Sequence, residues 1–127
     1  MGGTDAAPRW ALSPLLTLLL GLVLAGTAAA HAVVLSSMPK AGETLKGPAV
    51  HVRIVLNSRI DRARSSLRLQ ARGGSPRVLT LEGDAEPNTL SAHVTGLAAG
   101  DYRLLWQTLT VDGHVTRGEL PFRVVAP

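Results

Sequence analysis

Side chains able to bind a metal ion stand far apart in this chain, with His31 early and Asp112 and His114 close to the end. Asp112 and His114 are two residues apart, so in extended backbone their side chains point the same way. Gly113 between them lets the chain bend without a side chain in the way. The same residues are typical of a plain Asp-Gly turn between two strands, so the pair does not by itself establish a metal site.

The residues before His31 predict that it becomes the first residue of an exported protein. A short polar start with one arginine is followed by the apolar stretch Trp10–Leu24 and a small-residue run that includes Ala28 and Ala30. This order is typical of a secretory signal peptide, and we place cleavage between Ala30 and His31. An uncleaved membrane anchor is the alternative, but an apolar core of about 15 residues is short for a span of roughly 20.

A histidine at the amino terminus offers two nitrogen ligands, the α-amine and imidazole Nδ1, which close a six-membered ring on a metal. The amine has an ordinary pKa of about 7.7–8.0, so it can lose its proton and bind metal near neutral pH. With Asp112 and His114 the donor set is one amine, two imidazoles and one carboxylate. Such a set suits Cu(II), which heads the affinity order of divalent first-row ions, with Zn(II) and Ni(II) as competitors. The alternative is that a histidine follows the cleavage site only by chance and is not a metal ligand.

The elements that must position these residues are predicted to be strands. Apolar and polar residues alternate with period two along most of the chain after residue 31. Turn residues rich in Gly, Pro, Asn and Asp separate the alternating segments. We therefore predict an all-β fold, a seven-stranded immunoglobulin-like Greek-key β-sandwich or barrel. The predicted strands lie at residues 32–36, 50–56, 67–72, 77–81, 90–95, 102–107 and 119–124.

Length and composition bound the remaining possibilities. The 127 residues carry a net charge of +4, so we predict one domain at residues 31–127 after a signal peptide at residues 1–30. The absence of cysteine excludes disulfides, thiolate zinc sites and a cysteine nucleophile. Scattered arginines and an aromatic content of 3% argue against nucleic-acid binding. His51 and His93 alternate with apolar residues, and we expect both to be isolated surface histidines.

Three segments of the sequence resemble the CopC-type periplasmic copper-binding proteins. The first is H-A-x-x-x-S-S-x-P-x-x-G at residues 31–42, the second runs from Trp106 to Asp112-Gly113-His114, and the third is residues 118–124. The resemblance implies a small Greek-key β-barrel that carries one Cu(II) ion per chain in the periplasm. It also implies a role in copper tolerance, or in copper supply to an inner-membrane transport protein. By resemblance, His31, Asp112 and His114 match the Cu(II) ligands.

The sequence departs from the family pattern in two places. Some members have a methionine-rich Cu(I) site, whereas here Met38 is the only methionine after residue 30. Because Cu(I) prefers thioether ligands, we expect no Cu(I) site. The family often has Phe-Ser-Glu where this chain has Leu56-Asn57-Ser58-Arg59, so an acidic group near the copper is replaced by positive charge. Many relatives are also fused to a membrane domain, and here we expect such a partner to be a separate protein.

The leading functional prediction is a non-catalytic Cu(II) carrier or buffer. A copper mono-oxygenase acting on polysaccharides is one alternative, because such enzymes also bind copper through a terminal histidine. The chain has few aromatic rings for a flat substrate surface. The sequence contains no phosphate-binding loop and no G-x-S-x-G nucleophile. A metal-free immunoglobulin-like structural module is the other alternative.

Overall fold

The structure, a computed structural model, describes residues 2–3, 32–83 and 85–127. The described residues form eight strands and one short 3₁₀ turn at Arg62–Arg64. The strands are β1 (Val34–Met38), β2 (Thr44–Lys46), β3 (Val50–Leu56), β4 (Ser66–Ala71), β5 (Arg77–Val78), β6 (Thr89–Val94), β7 (Gly100–Leu109) and β8 (Val115–Val125). None of the helices in these ranges is long and apolar enough to cross a membrane. The predicted signal peptide and His31 lie outside the described residues.

The strands form two sheets. One has three strands in the order β1-β3-β6, and the other has five in the order β2-β8-β7-β4-β5. Each pairing is antiparallel except that of β2 with β8, which is parallel. Because consecutive strands often belong to different sheets, the chain crosses repeatedly between the two layers, as in Greek-key sandwiches.

Period-two alternation explains the core. In β3 the side chains of Val52, Ile54 and Leu56 are fully buried, while Arg53 between them is exposed. The five-stranded sheet contributes its own inward residues, and Leu104 of β7 lies between Leu69 of β4 and Leu120 of β8. One layer of apolar side chains from each sheet therefore fills the space between them.

The start of β7 carries a further feature of immunoglobulin-like sandwiches. The Tyr102 hydroxyl donates a hydrogen bond of 2.7 Å to the carbonyl oxygen of Ala98, four residues earlier. A tyrosine bonded back to the turn before its own strand is the tyrosine corner of such folds. On the neighbouring strand β8, Gly118 lies opposite Trp106, whose ring occupies the space that a Cβ at residue 118 would need. Trp106 packs, partly buried, against the core, as its position on the apolar face predicts.

The all-β prediction is confirmed, but the strand count of seven was wrong by one. The additional strand, β2, has three residues and lies between turns, so it is too short to show alternation. It exists because its backbone pairs with the end of β8, from Thr44 opposite Arg123 to Lys46 opposite Val125. The strand predicted at residues 77–81 is only Arg77–Val78, although Leu79 is buried as its apolar character indicates.

Candidate metal centre

The predicted residues Asp112 and His114 lie in the turn that joins β7 to β8. The last pair of this hairpin is Leu109 with Val115. Beyond it the Thr110 N–H donates to the His114 carbonyl (2.9 Å), and the Gly113 N–H donates to the Thr110 carbonyl (2.9 Å). Gly113 has φ of +90°, a conformation that other residues rarely adopt. Glycine at this position therefore lets the turn present its two flanking side chains together.

The structure brings Asp112 and His114 into contact. His114 Nδ1 lies 3.2 Å from Asp112 Oδ2, and the two side chains are 43% and 57% exposed. Within the described part of the chain, Nδ1 is itself inaccessible to solvent and has no hydrogen bond of good geometry. Two ligands at right angles on one ion, with bonds of about 2.0–2.1 Å, stand about 2.9 Å apart. The observed spacing therefore fits two neighbouring ligands of a single ion.

Thr110 organises this pair, a role that was not predicted from the sequence. Its buried hydroxyl, in a residue only 2% exposed, donates to Asp112 Oδ1 and accepts a hydrogen bond of 3.1 Å from the His114 N–H. The hydrogen bond from Thr110, followed by the contact with His114, lowers the pKa of Asp112 below its usual value. The carboxylate is thus kept ionised, which is the form that binds a metal. A threonine two residues before an aspartate in a turn is the local signal that points to this role.

The segment that follows residue 31 enters the sandwich at the same end as this turn. The Val33 N–H donates to the Asn57 side-chain oxygen (2.8 Å), and the Asn57 N–H donates to the Val33 carbonyl (2.9 Å). Three residues beyond Asn57, Ile60 forms a β-bridge with Thr110. The segment Asn57–Ile60 therefore contacts both the beginning of the sandwich and the β7–β8 turn.

The sequence departure noted at Leu56-Asn57-Ser58-Arg59 belongs to this connecting segment. Asn57 uses its amide oxygen to hold Val33, a role that needs an acceptor but not a charge. Arg59 is exposed, and its carbonyl accepts a hydrogen bond of 3.2 Å from the Val111 N–H in the turn. The residues that differ from the family pattern therefore lie next to the turn that carries the predicted site.

A second cluster of ligand-type side chains was missed by the sequence analysis. His51, Glu82 and His93 each place one ligand atom within 4.8 Å of the others. The expectation that His51 and His93 are isolated is wrong, because they lie directly opposite each other on β3 and β6. Strand pairing between residues 42 apart decides this contact, and neither strand's own pattern carries that information.

These features place the protein among immunoglobulin-like β-sandwiches with ligand-type side chains on a hairpin turn. A family model described as the CopC domain matches residues 34–125, which is most of the sequence. The chain belongs to the CopC family. A search of curated proteins gives no significant match.

Solved structures support the fold. CopC from Methylosinus trichosporium OB3b matches with a TM-score of 0.67 and 23% identity over 76% of this chain and 95% of that one. PcoC, a methionine-rich copper resistance protein from Escherichia coli, matches with a TM-score of 0.59 and 22% identity over 76% of this chain and 100% of that one. At these identities the matches establish the shared architecture.

Proposed function

We propose that this protein binds one Cu(II) ion through the amine and imidazole of His31, the carboxylate of Asp112 and the imidazole of His114. The observation that carries the proposal is the 3.2 Å contact between His114 Nδ1 and Asp112 Oδ2 on an exposed turn. A nitrogen-rich set with one carboxylate and no sulfur favours Cu(II) over softer or harder ions.

The participation of His31 is supported by the path of the chain immediately after it. Val33 is held to Asn57 by two hydrogen bonds, and the segment after Asn57 pairs with the β7–β8 turn. A ligand two residues before Val33 has only a short distance to span, because an extended chain covers about 3.3 Å per residue. The sequence resemblance assigns the same residue independently.

The biological role that we propose is that of a copper carrier or buffer in the periplasm. The family relative PcoC is described as a copper resistance protein, and the signal-peptide pattern at residues 1–30 predicts export. Asp112 and His114 are both about half exposed, so a partner such as an inner-membrane copper transporter could approach the ion directly. We propose a binding role without catalysis, in which the ion is cargo in copper tolerance or copper supply.

The first test measures Cu(II) affinity by competition with a chelator. We expect His114→Ala to lower the affinity at least about 100-fold, more than the 10–100-fold typical of a disturbed outer-shell contact. One residue added before His31 should cause a comparable loss, since it moves the amine away from the ring that chelates with it.

Two control variants separate ligand loss from general disturbance. Val111→Ala changes an exposed residue of the same turn, and one residue added after Pro127 lengthens the tested protein at a point other than His31. Both should bind Cu(II) like the unmodified protein. If His114→Ala and the extension before His31 also bind as tightly as the unmodified protein, the proposed ligands are wrong.

A further inference from the structure

The cluster of His51, Glu82 and His93 is built from three separate parts of the chain. His51 lies on β3, His93 lies opposite it on β6, and Glu82 comes from the connection between β5 and β6. Glu82 Oε2 lies 3.3 Å from His51 Nε2, and Oε1 lies 2.9 Å from His93 Nε2. The two imidazole rings are stacked, with centroids 4.3 Å apart and planes 16° from parallel. One carboxylate therefore faces two ring nitrogens that point in the same direction.

The carboxylate is fixed by contacts outside the cluster. The Ser91 hydroxyl donates a hydrogen bond of 2.7 Å to Glu82 Oε2, and the Glu82 N–H donates one of 2.9 Å to the Ser91 carbonyl. The Arg62 guanidinium donates to the carbonyls of Gly83, Ala85 and Glu86 at 3.1, 2.7 and 3.0 Å, which ties down the connection that carries Glu82. Outer contacts that orient a ligating carboxylate are a regular part of metal sites.

We propose that His51, Glu82 and His93 form a second metal site, for a divalent ion of the Zn(II) or Cu(II) type. Two imidazole nitrogens and one carboxylate make a three-ligand set that leaves a position for water on a tetrahedral ion. Neighbouring tetrahedral ligands with bonds of about 2.0–2.2 Å stand about 3.3 Å apart. The distance of 3.3 Å between His51 Nε2 and Glu82 Oε2 matches that spacing, whereas His93 Nε2 lies closer, 2.9 Å from the other carboxylate oxygen, Oε1. The remaining separation, at most 4.8 Å, closes through small rotations of side chains that are partly exposed.

The donor set also decides the kind of ion. Imidazole suits zinc and copper, whereas magnesium and calcium prefer all-oxygen sites, and a site without sulfur does not favour Cu(I). The affinity order of divalent ions places Cu(II) above Zn(II). The ion would replace the contacts that Glu82 now makes with both rings, so two stacked imidazoles and one carboxylate would share a single cation.

This cluster has no residue in common with the proposed Cu(II) ligands. His51 lies near the start of β3, whereas the segment that contacts the β7–β8 turn begins after Leu56 at its end. His51 and Leu56 are five residue steps apart along the strand, which corresponds to about 16 Å. The two sites therefore differ in position as well as in ligands, and they can be tested independently.

The test is a Zn(II) titration of the purified protein, followed by calorimetry and by the imidazole NMR signals of the histidines. We expect the signals of His51 and His93 to shift together and to saturate at one equivalent of Zn(II) for this site. His93→Gln and Glu82→Gln should each weaken the binding at least about 100-fold. Ser91→Ala, which removes only the outer hydrogen bond, should weaken it about 10–100-fold.

Two further variants make the result specific. Thr95→Ala changes an exposed residue next to β6 and should leave the titration unchanged. His114→Ala should leave the Zn(II) response of His51 and His93 intact, so failure of the first site would not be mistaken for failure of this one. The proposal is overturned if the His51 and His93 signals do not respond to saturating Zn(II), or if His93→Gln and Glu82→Gln bind like the unmodified protein.

Discussion

At the scale of single residues, the chemistry of the β7–β8 turn depends on one buried hydroxyl. Asp112 and His114 are exposed side chains that would otherwise sample several rotamers, at a cost in entropy when a metal orders them. Thr110 reduces that freedom, because its hydroxyl contacts the Asp112 carboxylate and the His114 N–H. Thr110 therefore orients both side chains without contributing a ligand atom to the proposed set.

Replacing Thr110 should therefore weaken copper binding without removing a ligand. We expect Thr110→Val, which keeps the shape and loses the hydroxyl, to lower Cu(II) affinity about 10–100-fold. Thr110→Ser keeps the hydroxyl and should restore most of the affinity, which a purely structural role of the methyl group would not predict. Chelator competition measures both variants, and circular dichroism checks that both fold. Equal affinity of Thr110→Val and the unmodified protein would exclude the positioning role.

At the scale of elements, an ion pair joins the two longest strands at the end opposite to their turn. Asp101 of β7 lies directly across from Arg123 of β8, and Arg123 Nε donates to Asp101 Oδ1 at 2.8 Å. Arg72, which follows β4, adds a longer contact of 3.5 Å. The hydrogen bond from Arg123 is the main reason that the pKa of Asp101 lies below its usual value of 3.8.

This shift makes the contribution of Asp101 to stability depend on pH in a defined direction. A carboxyl whose pKa is lower in the folded protein stabilises the fold above its unfolded pKa, and that contribution is lost as the pH falls through the folded pKa. We expect Asp101→Asn to be less stable than the unmodified protein at neutral pH. The difference should shrink as the pH falls below about 4, where the unmodified protein gains a proton on unfolding.

Urea unfolding at a series of pH values measures this difference. Glu119→Gln is the matched control, because it removes an exposed carboxylate from a longer pair, 3.7 Å from Arg103, between the same two strands. The pH-dependent contribution of Asp101 would be contradicted if the stability difference between Asp101→Asn and the unmodified protein stayed constant as the pH falls below about 4.

At the scale of the whole molecule, the proposed copper site depends on how the chain is processed. The α-amine is a ligand only if the exported protein begins with His31. We expect N-terminal sequencing of the exported protein to begin with His-Ala-Val. An exported protein with any other first residue would remove the amine from the ligand set, while the site of His51, Glu82 and His93 would be unaffected.

The sequence by itself determined the features that depend on near neighbours. Period-two alternation identified the all-β fold and most inward-facing residues, because side-chain direction in a strand follows from the backbone of that strand alone. It also indicated that Asp112 and His114 lie close together, because only Gly113 separates them in the sequence. The position of Trp106 on the apolar face followed from the same alternation.

Only the tertiary structure decided the contacts between distant segments. The register of β3 on β6 places His51 opposite His93, and the path of the β5–β6 connection brings Glu82 to both. β2 is a strand only because β8 is beside it. These contacts depend on which strands pair and in what register, and that choice is made by the packing of the entire core. No short stretch of the sequence contains the information about pairing and register.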